Sequence, residues 1–299
     1  MRVAVTGAGG QLGALVQRRL SEAGHEVNAF STSLPLSATG QVVRWSADEP
    51  WQHTADSLRG THVVVHAAAH IPRVLDDPSE ALRCVEVNAI GTLNLLRAGA
   101  SAGVERFVYV SSANVLSPRG DRVDEDAPVG GEHAPYYLGS KVLGEVYVRG
   151  AMVRGLSAVI VRPSTIYGPG LERGVLWSFA TRLRARQPIR VADGGRFRSD
   201  FVWRDDVASV VSACAMDRRN GALNVGSGHA TSILEVAQML CEVMHADPSL
   251  ITVDPPPPSA DMRPSGFAAV DITRAQEWFA YAPTPLRQGL ERLFVPGMT

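Results

Sequence analysis

VAVTGAGGQLG, residues Val3 to Gly13, is the stretch whose reading decides the fold. A short apolar run enters it, and glycine stands at Gly7, Gly10 and Gly13. Behind it, LGALVQRRLSEAG has the apolar spacing of a helix that ends at Gly24. The pattern is G-x-x-G-x-x-G; the more familiar G-x-G-x-x-G would need glycine where Leu12 stands. The physics is shared, because glycines permit a tight turn and let a pyrophosphate approach backbone amides at a helix N-terminus. A glycine triplet alone is weak evidence. Between an N-terminal strand and an amphipathic helix it predicts a dinucleotide site. Gly7, Gly10, Gln11, Leu12 and Gly13 are its candidate residues.

Outward from that turn, HEVNAF (His25 to Phe30), THVVVHAAA (Thr61 to Ala69), RFVYVSS (Arg106 to Ser112) and SAVIVRP (Ser157 to Pro163) read as strands. Helical patterns run from Ser79 to about Ala102 and from near Tyr136. Strands apolar on both faces that alternate with helices predict an α/β fold: a doubly wound parallel sheet of the Rossmann kind. After Pro163 glycine, proline and arginine become frequent and the strands shorten, which predicts a smaller, mostly C-terminal substrate-binding lobe. The expected boundaries are 1–165 for the dinucleotide domain, with a return at about 200–225, and 166–199 with 226–299 for the lobe. RGDRVDEDAPVGGEH (Arg119 to His133) and DPPPPSADMRPSG (Asp254 to Gly266) read as loops.

The 299 residues, 20% charged and 45% hydrophobic, suit a globular protein with a sizeable core. A net charge of -1 gives no electrostatic footprint for nucleic acid or an anionic membrane. No apolar run approaches the roughly 20 residues of a spanning helix, and the N-terminus lacks the form of a signal peptide. Cys84, Cys214 and Cys241 lie far apart without metal-ligand spacing, so small buried apolar roles and no metal are expected. A cytoplasmic protein is the reading.

If the cofactor is NAD, a carboxylate should end the second strand to hold the adenosine ribose. The strand ends instead in Ser31, Thr32 and Ser33, with neither that acid nor an arginine for a 2′-phosphate. The residues leave NAD and NADP both open. Asp48, after the next short strand, is a candidate contact for the adenine.

In PYYLGSK (Pro135 to Lys141), Tyr137 and Lys141 are i, i+4 and fall about 40° apart on a helix. Tyr136 lies about 140° from Lys141 by the same geometry. An ammonium beside a phenol favours the phenolate, so Tyr137 is the residue placed to exchange a proton with a substrate hydroxyl or carbonyl. Ser112, at the C-terminal end of a strand, can bond the same oxygen.

TGAGGQLG, VVVHAAA, VNAIGTLNLLRA, RFVYVSSANV, YYLGSK, VRPSTIYGPG, RSDFVWRDDVA, LNVGSG and APTPLRQGLERL together resemble, almost from end to end, the extended short-chain dehydrogenase/reductases. The similarity is to the branch of sugar-nucleotide epimerases and dehydratases. It implies a catalytic set of Ser112, Tyr137 and Lys141, with Tyr137 and Lys141 also against the cofactor. It implies Ala67, Ala68, Pro163 and Ser31 along the dinucleotide, Asn88 beside it or supporting the fold, and Asp206 in a supporting role. Ser112 and Asn114 would face the substrate. Thr165 stands where many relatives carry asparagine, and Arg198 and Arg263 are candidates for the nucleotide phosphates. A homodimer through the helices near Ser79–Ala102 and Pro135–Arg154 is also implied.

The Ser112-Ala113-Asn114 segment lacks the acid pair of the dehydratases and resembles the 4-epimerases. The expected activity is therefore epimerisation at a hydroxyl-bearing carbon of a nucleotide sugar, C4 above all, with NAD favoured over NADP by the family pattern. The alternative is an NAD(P)H-dependent 4-ketoreductase of deoxysugar synthesis, which the missing acid near Ser31 supports. A nonsugar oxidoreductase is a further alternative. A non-catalytic dinucleotide sensor is another, against which Tyr137 and Lys141 argue.

Overall fold

The structure, a computed structural model, describes residues 1–32, 40–117, 122–131, 134–256 and 266–295. Its first half alternates as the pattern predicts: β1 (Arg2–Thr6), α1 (Gln11–Glu22), β2 (Glu26–Ser31), β3 (Val42–Arg44), α2 (Trp51–Ser57) and β4 (Val63–His66). A helical rod follows, made of α3 (Ala81–Cys84), a π-helical stretch Val85–Ile90 and α4 (Gly91–Ala102). Then come β5 (Arg106–Val110), the two-residue β6 (Arg122–Val123), α5 (Pro135–Val153), β7 (Ser157–Pro163), β8 (Thr165–Tyr167) and α6 (Gly174–Arg184). The remainder is β9 (Ile189–Val191), β10 (Arg198–Trp203), α7 (Arg204–Met216), β11 (Gly221–Val225), β12 (Ala230–Ser232), α8 (Ile233–Val243), β13 (Ile251–Val253), β14 (Ala269–Val270), α9 (Thr273–Phe279) and α10 (Leu286–Phe294).

Seven strands form one parallel sheet in the order β11-β7-β5-β4-β1-β2-β3. Alternation along β1 explains how it is covered on both sides. Val3 and Val5 pack with Leu15, Val16, Val207 and Val211 of α1 and α7, while Ala4 faces Leu95 of α4 and Val148 of α5. The chain leaves β1 in opposite directions, toward β2 on one side and β4 on the other. Such a switch point opens a crevice at the C-terminal strand ends.

A second core gathers Leu176, Phe179, Ile189, Phe201, Val236, Leu240, Leu290 and Phe294 from α6, β9, β10, α8 and α10. β10 pairs with β8 and β12 and not with the large sheet, whereas α7 and β11 rejoin it. The three cysteines are free and buried. Among the described residues no helix is long and apolar enough to cross a membrane.

Three expectations need correction. The strand from Thr61 ends at His66, because Ala67 and the residues after it leave the ladder to face the glycine turn. The helix expected from Ser79 is interrupted by the π-helical stretch around Asn88. The loop from Arg119 to His133 contains β6, whose partner β14 lies far along the chain and left no local pattern.

Candidate active site

The glycine turn is built by close approach. Gly7 has φ +69°, and a Cβ there would fall 2.8 Å from Ala68 Cα and 2.9 Å from the Ala67 carbonyl carbon. A Cβ on Gly13 would fall 2.2 Å from the Gly7 carbonyl oxygen. Only glycine allows α1 to start this close to β1, which leaves its first amides open to a pyrophosphate. Gln11 and Leu12 form the first residues of α1, and Gln11 is exposed at the mouth of the turn. Ala67 and Ala68 are half-buried opposite it, and Pro163 is buried at the end of β7. The residues present fit a dinucleotide.

At the adenosine end, Ser31 is buried at the last position of β2, and Thr32 beyond it is exposed. Asp48 is exposed, accepts from the Ser46 hydroxyl and pairs with Arg83 at 3.3 Å. The Ser46 hydroxyl, then Arg83, holds its carboxyl below the usual range. β3 pairs with β2 so that Arg44 lies opposite Ser31. That arginine escaped the sequence reading because the β2–β3 pairing has no local signal.

Lys141 is 1% exposed, and its Nζ donates to the Val110 carbonyl at 2.7 Å. It also lies 4.4 Å from the centre of the Tyr109 ring, a favourable cation–π distance. α5 can come this near β5 because residue 144 is glycine, where a Cβ would meet the Tyr109 hydroxyl at 2.1 Å. The strand that holds Lys141 thus ends two residues before Ser112, which is half-buried and accepts from the Asn114 amide at 3.3 Å. Burial pulls the Lys141 ammonium down to about 7, against the pull of Glu145 one turn along α5. Burial also pushes the Tyr137 phenol up to about 12, and the charge that opposes it is Arg173. Tyr137 is half-buried beside the cluster of Ala113, Val115 and Leu138.

A buried polar network supports this set. Glu145 receives Arg162 through two hydrogen bonds of 2.9 and 2.6 Å, and both side chains are almost fully buried. Burial alone would raise Glu145, but Arg162 more than offsets it and holds the carboxyl below its usual range. Asn88 is fully buried; its amide donates to the His70 carbonyl at 3.0 Å and to Ser140 Oγ at 2.9 Å, and accepts from the His70 amide at 2.8 Å. Asn88 therefore ties the loop after β4 to α5. His66 bridges Thr6 at 2.7 Å and Thr92 at 2.9 Å beneath the turn.

On the opposite side of the crevice, Asn114 and Ser164 line a small recess with Asp200 and Phe267. Asp200 was missed from the sequence; it accepts from Ser164, Ser227, Gly228 and Val270 and so ties together the β7–β8 link, the loop after β11 and strand β14. Thr165 shares a 2.6 Å hydrogen bond with Ser199. Arg198 is exposed and donates to the Ala230 carbonyl at 3.2 Å, so its guanidinium is held along its own sheet. Arg263 lies outside the described residues. Asp206 accepts from the Thr284 amide and hydroxyl, which ties α7 to the approach of α10.

A model of the NAD dependent epimerase/dehydratase family matches residues 3–226. The chain belongs to that family. It is an NAD-dependent enzyme of the extended short-chain dehydrogenase/reductase type. The chain is 30% identical over 317 aligned positions to a UDP-glucose 4-epimerase of Mycolicibacterium smegmatis, covering 98% of this chain and 97% of that one. Its fold superposes with a TM-score of 0.83 on MoeE5 in complex with UDP-glucose and NAD, at 26% identity, covering 97% and 96% of the two chains. MoeE5 in complex with UDP-glucuronic acid and NAD gives the same score at 27% identity and the same coverage.

Proposed function

We propose that this enzyme inverts C4 of a nucleotide sugar, with Tyr137 as the acid–base residue, Ser112 as a second contact to the reacting oxygen and Lys141 as the buried cation. The observation that carries the reading is Lys141 itself. A nearly inaccessible ammonium is costly to bury, and this one is fixed at the end of β5, one helical turn from Tyr137 and two residues before Ser112. Gly7, Gly10 and Gly13, with Ala67 and Ala68, would hold NAD along the crevice. When bound, NAD supplies the hydride acceptor and donor and, oxidised, a positive charge that favours the Tyr137 phenolate.

Tyr137 takes the proton of the C4 hydroxyl as the carbon is oxidised, with the Ser112 hydroxyl bonded to the same oxygen. The ketone then presents its other face, and Tyr137 returns the proton as the carbon is reduced. Atoms and electrons balance over the cycle, so no outside reductant is consumed. The test is to measure NAD released from the denatured protein, and inversion of UDP-glucose without added cofactor. Retained NAD together with inversion supports the reading.

A second reading, an NAD(P)H-dependent 4-ketoreductase, is favoured by one observation. β2 ends in Ser31 with no acid there among the described residues, and Arg44 stands opposite. Consumption of NADPH with a 4-keto nucleotide sugar, in protein that carries no NAD, would select it. We also propose a homodimer. Leu82 and Ile90 on the rod and Leu143, Val146 and Val153 on α5 are all exposed, and the last three share one helical face.

A further inference from the structure

We propose that Arg204 clasps the loop after β8 onto the start of α1 and so gates the passage of NAD into and out of the crevice. This rests on the glycine turn as the NAD site, as proposed above, and applies to an epimerase and a reductase alike. The loop, residues 168–173, joins β8 to α6 and meets the turn at Gln11. A Cβ on Gly170 would fall 2.6 Å from Gln11 Oε1, and Gly170 stands at φ +77°. A Cβ on Gly168 would fall 2.8 Å from Arg204 Cβ, so the stem of Arg204 lies against the loop. Its guanidinium then reaches both sides of the junction. Nη1 donates to Gln11 Oε1 at 3.0 Å and to the Pro169 carbonyl.

Little else holds this loop. Pro169, Gly170 and Glu172 are exposed. Among the described residues, the bond from Arg204 to Pro169 is the one hydrogen bond that leaves residues 169–172. Leu171 and Arg173 donate within the loop, to the Gly168 and Leu171 carbonyls. Arg204 is anchored by contrast. It opens α7, its side chain is 12% exposed, and it pairs with Asp205 at 3.4 Å. Its Nε is buried and has no hydrogen-bond partner among the described residues. A donor left unmade lowers stability, so stability alone gives no reason for this arrangement. A closed state that carries such a defect opens readily, which suits a gate.

The place of the clasp sets what it gates. Gln11 is the first residue of α1, and the amides of that first turn are the ones open to a pyrophosphate. The clasp therefore closes the crevice at the mouth of the glycine turn. Lids of this kind swing on a few loop residues. A gate changes passage and leaves the bound contacts as they are, so it slows entry and exit by the same factor. A residue that simply bonded the cofactor would slow exit alone.

The experiment follows NADH fluorescence in stopped flow. Protein freed of cofactor reports association, and NADH-loaded protein chased with excess NAD reports release. Wild type is compared with Arg204→Ala, Arg204→Lys, Gln11→Ala and the double variant Arg204→Ala/Gln11→Ala, with circular dichroism and urea midpoints as folding controls. Arg204→Ala should speed association and release together by about 10-fold, the low end of what a charged hydrogen bond supplies, with Kd nearly unchanged. Gln11→Ala, at an exposed position, should speed both by less, because Pro169 stays bonded; it decides alone if Arg204→Ala does not fold. The double variant should match Arg204→Ala, as members of one unit do. Arg204→Lys, which keeps the charge and loses the fork, should fall between wild type and Arg204→Ala. Faster release with association unchanged overturns the gate and makes Arg204 a plain cofactor contact. Rates that stay at the wild-type values in Arg204→Ala and Gln11→Ala overturn it too, and leave the glycine turn standing as the NAD site. A wild type that takes up no NADH overturns the reading of the glycine turn, and this inference with it.

Discussion

Lys141 Nζ and the Val110 carbonyl oxygen are 2.7 Å apart, and this bond joins the helix of Tyr137 to the strand of Ser112. In the mechanism proposed above, the side chains that these two elements carry meet on one substrate oxygen. The bond also gives a buried ammonium one strong acceptor, with the Tyr109 ring face as a second neighbour. The consequences divide into chemistry and stability.

Tyr137→Phe removes the proposed proton carrier and keeps the shape. Turnover should fall at least about 1,000-fold, within the range that general acid–base groups supply. NAD binding should persist, because the glycine turn is untouched. Tyr136→Phe should retain most of the activity. If Tyr136→Phe is the variant that collapses, the assignment by helical phase is wrong. Steady-state rates and bound-NAD content decide it.

Lys141→Met should change the pH dependence of stability in the protein free of cofactor. The folded-state pKa of Lys141 is about 7 against an ordinary 10.5. Between those values the unfolded chain holds the extra proton, so the wild type gains stability as pH rises through this window. The variant lacks that gain. Urea unfolding at several pH values should therefore show the variant's advantage largest near pH 7 or below and shrinking toward pH 10.

His66 works in the opposite part of the scale. Burial first, and then the Lys141 charge, lowers it to about 3 from 6.5. The stability its neutral form contributes is complete above about 6.5 and is lost as pH falls toward 3. The loss approaches about 1.4 kcal/mol for each pH unit crossed. His66→Gln should flatten the acid side of the stability curve, as followed by urea midpoints between pH 7 and pH 4.

Gly7→Val should abolish NAD retention. A Cβ there meets the Ala67 and Ala68 backbone at under 3 Å, and φ +69° adds strain for a branched residue. Fluorescence titration with NAD should show affinity lowered at least about 100-fold, the cost of a few kcal/mol of strain and lost amide contacts. Retained affinity would show that the pyrophosphate does not use this turn.

The parallel sheet was legible because Val3, Val5, Val63, Val65, Val108 and Val159 lie in short runs bounded by glycine, serine or helix signals. The glycine turn and the Tyr137–Lys141 pair were legible because each is a local pattern with one physical purpose. Three features had no local pattern. Lys141 reaches Val110 across 31 positions of sequence. Arg44 meets Ser31 only through strand pairing. The loop after β8 meets α1 only where Gly170 comes against Gln11 and Arg204 bonds it. Arg198, a candidate for phosphate by its residue type, also donates to the Ala230 carbonyl, a contact that strand pairing sets and no local pattern shows.

The most direct test of C4 inversion follows the hydrogen on that carbon. The purified enzyme, with no added cofactor, is given UDP-glucose or UDP-glucuronate deuterated at C4, and the product is read by mass spectrometry and proton resonance. Inverted product that keeps the deuterium at C4, with no net NADH formed or NADPH consumed, is the predicted result. Inverted product that has lost the label to solvent, or turnover that requires added NADPH, would contradict the account.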